Sequence, residues 1–112
     1  MLDTRSKIVK AGDVPVRLVV AAYFDPMVST HTQRFHELAE QHGPLAVCIC
    51  DPPEPLLPAQ ARAELAAACR EVEFVFVGEE VLSQAVEIID ERAADLERRD
   101  ELMRHVRSRQ NA

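Results

Sequence analysis

The stretch RLVVAAYFDPMVSTHTQRF, Arg17 to Phe35, decides the fold. Its first part, Arg17 to Tyr23, is a continuous apolar run rich in β-branched residues, as expected of a strand buried on both faces of a parallel sheet. Its second part reads as a helix. Ser29 or Thr30 is placed to cap it, Arg34, Phe35, Leu38 and Ala39 follow at helical spacing, and Gly43 ends it. Asp25, Pro26 and His31 stand at the junction. In an open α/β sheet, the turn leaving the carboxyl end of the first strand is where ligands sit. The junction is therefore the first place to look for function.

Downstream, the alternation continues. Leu45 to Cys50 is a second buried strand, and Asp51 to Pro58 carries four prolines that forbid a helix or a central strand. Ala59 to Arg70 is an alanine-rich helix former, and Glu73 to Val77 is a third strand closed by Gly78. The expected order is βαβαβ over residues 17–78: a shortened Rossmann-like α/β domain with a small parallel sheet flanked by helices on both faces. Residues 1–16 read as an N-terminal arm. Residues 79–110 hold no proline or further glycine and read as a C-terminal helical extension, one bent helix or two. In that extension Leu82, Val86, Ile89, Ala93, Leu96, Met103 and Val106 step mostly by three or four. Asp95 with Arg99, and Asp100 with Arg104, form four-apart pairs of favourable order. Such a helix either packs on its own sheet or dimerises with a second copy.

A chain of 112 residues suits one domain. Its composition, 47% hydrophobic and 29% charged, is that of a globular protein. The net charge of −6 argues against nucleic-acid binding, which concentrates Lys and Arg on phosphates, and against a membrane-surface role. Cys48, Cys50 and Cys69 are an odd number and are expected as reduced thiols. Cys48 and Cys50 lack the second ligand pair that structural zinc needs. The longest apolar run, Leu18 to Phe24, is too short to span a bilayer. The charged opening, with Asp3, Arg5, Lys7 and Lys10, does not look like a signal peptide, so a cytoplasmic location is expected.

From strand one into strand two, the chain resembles the cytidylyltransferase-like nucleotidyltransferases, notably the glycerol-phosphate cytidylyltransferases and the heptose-phosphate enzymes. Their motif, G-x-F-D-x-x-H-x-G-H, ends strand one. Phe24 and Asp25 fall on its F-D, and His31 falls on its second His. Gln60-Ala-Arg62 is similar to an E-x-R of that family, and Lys7-Ile-Val9 to a K-I-V ahead of strand one. The resemblance implies attack of a sugar or polyol phosphate on the α-phosphorus of a nucleoside triphosphate such as CTP, with Mg2+. Catalysis of that kind rests on positioning and charge neutralisation. It makes His31 the catalytic donor and Tyr23, Phe24, Asp25, Thr30, His31 and Arg62 the nucleotide- or phosphate-binding set.

The chain also departs from that motif. Val28 stands in place of the first His and neither donates a hydrogen bond nor carries charge. Thr30 replaces the glycine that lets phosphates approach, and Ala22 replaces the one before F-D. The proline-rich loop has no Lys, and the family's closing Arg-Thr-x-Gly-x-Ser-Thr segment is missing. Each retained residue also has a plain structural reading: His31 as a first-turn polar residue, Asp25 as a turn starter, Arg62 as a solvated helix residue. His36 and His42 read as surface positions. Ser29 with His31 makes no hydrolase triad, and neither G-x-G-x-x-G nor a Walker lysine is present. Two functions are consistent with the sequence. One is a nucleotide or sugar-phosphate binder with catalysis weak or lost. The other is a non-catalytic homodimeric assembly or regulatory module acting through its helices and sheet edge.

Overall fold

The computed structural model describes residues 3–110. Its elements are β1 (Ile8–Val9), β2 (Leu18–Ala22), α1 (Ser29–His42), β3 (Leu45–Ile49), α2 (Ala59–Ala67), β4 (Val72–Val77), β5 (Glu87–Asp90) and α3 (Arg92–Gln110). Short 3-10 turns lie at Thr4–Lys7 and Glu80–Ser83. The five strands form one parallel sheet in the order β1-β4-β3-β2-β5. The α/β class, the parallel sheet and the C-terminal helix are as the sequence led us to expect.

Two strands were not anticipated. The segment read as an arm contributes β1, which pairs with β4 through Ile8 opposite Val75 and Val9 opposite Phe76. The segment read as wholly helical contributes β5, which pairs with β2 from Leu18 opposite Glu87 to Ala21 opposite Asp90. Val86 and Ile89 stand at a spacing that fits a helix. The preference of Val86, Ile88 and Ile89 for extended backbone, and the open edge of β2, outweigh that pattern. The anticipated apolar stripe is thus divided among a 3-10 turn, a strand and a helix, and Val86 is 81% exposed.

The helix start also differs from expectation. Val28 is the residue before α1, not Ser29 or Thr30, and it supplies no side-chain cap. Instead the Val28 N–H donates to Nδ1 of His31 at 2.9 Å. His31 thus takes the place that Glu or Gln usually fills three residues into a helix. At the other end Gly43 adopts φ +80° and donates to the Ala39 carbonyl at 2.8 Å, closing the helix as expected.

α1 and α2 pack on the same sheet face, not on both faces as expected, because two successive right-handed crossovers that step the same way across the sheet put both helices on one side. Phe35 and Leu38 of α1, with Ala63, Ala66 and Ala67 of α2, lie against Val20, Val47, Ile49 and Val75. Burying a side chain such as Phe35 or Leu38 contributes about 1.5–3 kcal/mol, so those two residues fix α1 on the sheet. The opposite face, built on Val19, Ala21, Cys48 and Phe76, is covered by Ala11, Val14 and Val16 of the N-terminal segment and by Val81, Leu82 and Ala85. The connection from β2 to β3 to β4 runs one way across the sheet, whereas the one from β4 to β5 returns past β2. The strand order therefore reverses between β2 and β5, and in such sheets the carboxyl-end crevice at the reversal is where ligands bind. No helix is long and apolar enough, among the described residues, to cross a membrane.

Candidate functional site

At that reversal β2 ends and the chain turns sharply. Phe24 has φ +51°, a left-handed conformation that a bulky residue rarely adopts and that costs on the order of 1–3 kcal/mol. Burial of its ring holds it there, edge-on to His31 with centroids 5.3 Å apart and tilted to Phe35 at 5.4 Å. As a result two successive backbone N–H groups, of Tyr23 and Phe24, aim at one point. Such a concave pair of amides is a natural seat for an anion.

The anion seated there is a side chain. Oδ2 of Asp95, in the first turns of α3, accepts from Tyr23 N–H at 2.8 Å and from Phe24 N–H at 2.7 Å. Its other oxygen, Oδ1, bonds to Nε2 of His31. Because His31 Nδ1 accepts the Val28 N–H, Nε2 is the ring nitrogen that carries the donated proton. Three donors thus converge on a carboxylate that is 3% exposed. Burial pushes Asp95 up, but the bonds from His31, Phe24 and Tyr23 outweigh it and hold the carboxyl below its ordinary value.

The other anticipated residues are also engaged by the protein itself. Asp25 is buried, its two oxygens accepting from Leu56 N–H at 2.7 Å and Leu57 N–H at 2.8 Å, with an Arg99 nitrogen 3.4 Å away. The Arg99 charge beside it repels a divalent cation, so Asp25 does not suit the Mg2+ that the resemblance implies. Among the described residues no group of three His, Cys, Asp or Glu side chains converges to hold a metal ion.

Arg62 is 1% exposed, which corrects its reading as a solvated helix residue. Its guanidinium donates to the carbonyls of Tyr23 (3.0 Å), Cys50 (2.7 Å) and Leu57 (3.0 Å) and to the Asp51 carboxylate (2.8 Å). It braces the carboxyl ends of β2 and β3 against the proline-rich loop. His31 too is buried, not an exposed first-turn residue. Tyr23 enters through its backbone, and Thr30 is exposed on α1. His36 is at the surface as anticipated, paired with Glu40 at 3.2 Å.

A cleft of about 350 Å³ adjoins the Asp95 carboxylate, lined by Val28, Ser29, Thr30, His31, Arg98 and His105 among others. Two residues important here were missed as site residues: Asp95 and Arg99. In the sequence pattern both stand out only as a four-apart pair on one helix. In the fold they part, Asp95 turning to His31 and Arg99 to the Pro53 carbonyl at 2.9 Å and to Asp25. Recognising Glu87–Asp90 as a strand beside β2 would have placed Asp95 at the reversal.

On the other sheet face the sulfurs of Cys48, on β3, and Cys50, just past its end, sit 3.7 Å apart and fully buried. The Cys50 contact and burial push the Cys48 thiol up, away from a reactive thiolate. A larger cleft of about 460 Å³ lies at the amino ends of the strands, around Arg17, Leu18, Leu45 and Glu87. It is at the rim opposite the strand ends where α/β sheets bind ligands. Neither the models of known families nor the curated proteins contain a match to this chain.

Proposed function

We propose that the chain is a divergent cytidylyltransferase-like protein that binds the phosphate of a nucleotide such as CTP, or of a sugar or polyol, without nucleotidyl transfer. The observation that carries this reading is the convergence of the Tyr23 and Phe24 amides and His31 Nε2 on one carboxylate between β2 and β5. Phosphate and carboxylate oxygens ask for the same donors. Catalysis is lost for a physical reason. Transfer needs donors aimed at the charge that develops on the leaving phosphates, and here the Val28 side chain has no donor while Arg62 is bonded to strand-end carbonyls and Asp51. Three free cysteines suit a reducing compartment such as the cytoplasm.

The test is a thermal-stability titration with CTP, other nucleotides and glycerol phosphate. A ligand at a hundred times its dissociation constant adds about 2.7 kcal/mol and raises the melting temperature. His31→Ala should abolish that rise. No rise with any phosphate compound removes the reading.

A second reading, a homodimeric assembly module, is favoured by one feature. β5 is an edge strand, and Val86 and Ile88 beside its open side are 81% and 42% exposed. Unpaired edges with apolar side chains invite a second strand.

A further inference from the structure

We infer that Asp95 is a built-in competitor for the β2–β5 anion seat, and that α3 is a gate which must release it before a phosphate-class anion enters. This rests on the reading of that seat as a phosphate site and adds its regulation. The donors are set independently of the helix, because burial of the Phe24 ring fixes the backbone that aims the two amides. The occupant is set by the helix alone.

α3 is attached in a way that permits exchange. Asp95 is its one buried residue among those described, and everything from Arg104 to Gln110 is exposed. Its other ties are chiefly polar: Arg99 to the Pro53 and Glu54 carbonyls and Asp25, and Arg92 to Asp90 and Glu79. A phosphate replaces the Asp95 bonds one for one and has oxygens to spare. The adjoining cleft, bordered on its stationary side by Val28, Ser29 and Thr30 at the start of α1, supplies the approach as α3 moves. A carboxylate tethered beside the seat competes at high effective concentration, so the apparent affinity for a free anion is lowered by the fraction of chains in which the gate is closed.

The experiment is calorimetry on the full chain with inorganic phosphate and with CTP, comparing wild type, Asp95→Ala and Leu96→Gly. Hydrogen exchange is followed on α3 in parallel. Leu96→Gly loosens the helix and keeps the carboxylate and all three donors, so it reads the gate and not the charge. It also remains informative if Asp95→Ala fails to fold. Leu96→Gly should bind phosphate roughly tenfold tighter or more, and phosphate should speed exchange along α3 in the wild type. If phosphate binds but Leu96→Gly gains nothing, or α3 exchange is unchanged or slowed, the gate is overturned and the anion seat stands. If neither probe binds any of the three proteins, the anion seat itself is overturned.

Discussion

Two buried polar residues carry most of the consequence at the site. Arg62 satisfies three carbonyls and one carboxylate at the carboxyl rim. Removing it leaves those carbonyls without donors in a dry place, which points to a loss of about 3 kcal/mol or more for Arg62→Met in urea unfolding. Arg62→Lys should recover only part, since an ammonium lacks the planar fork. A loss under about 1 kcal/mol for Arg62→Met would remove the brace role, being ordinary for any substitution.

Asp95 makes stability depend on pH. Its folded value lies below the ordinary one of about 3.9. Its contribution is therefore present above that value and is lost as pH falls through the lowered one. The stability gap between wild type and Asp95→Asn should be widest above about pH 4 and shrink in stronger acid. A gap that does not change between neutral and acid pH would show that the carboxylate charge is not what matters there.

At the scale of elements, α3 divides into a docked half and a projecting half. A proline inside a helix costs about 3 kcal/mol or more through the lost hydrogen bond and the ring clash. Leu96→Pro breaks the turn that presents Asp95 and should lower the melting temperature clearly. Val106→Pro falls where the neighbouring residues are exposed and should leave it almost unchanged. Equal losses from the two would mean that the distal turns bear on the fold.

The same division shows what the sequence made legible. β2, β3 and β4 were readable because each is an apolar run long enough to declare itself, bounded by Gly43, the four prolines or Gly78. β1 was not, because two residues, Ile8 and Val9, have no period to detect. β5 was not, because four residues without a glycine or proline beside them blend into the helical pattern that follows. The candidate site followed the same rule. Asp25, His31 and Arg62 were singled out by residue type and position, but the burial and partners of His31 and Asp25 depend on contacts 31 to 74 residues away. The occupant of the seat became visible only when β5 was placed beside β2.

For the molecule as a whole, strand order sets both the crevice and the open edge. β5 lies outermost beside β2, so the face of the chain that carries the anion seat also ends in an unpaired strand. If two copies pair there about a two-fold axis, the strands run antiparallel, and centring on Ile88 and Ile89 places Glu87 opposite the second copy's Asp90. Like charges placed opposite one another weaken such a pair, in the manner of the charged residues that guard natural edges. The homodimer should therefore tighten as salt rises and screens that repulsion, contrary to the usual behaviour of an interface held by ion pairs. Ile88→Lys should abolish it by adding an inward charge to the apolar contact. Sedimentation at low and high salt measures both effects. A particle mass equal to one chain under every condition would end the dimer reading without touching the anion seat, whose donors and occupant all come from a single chain.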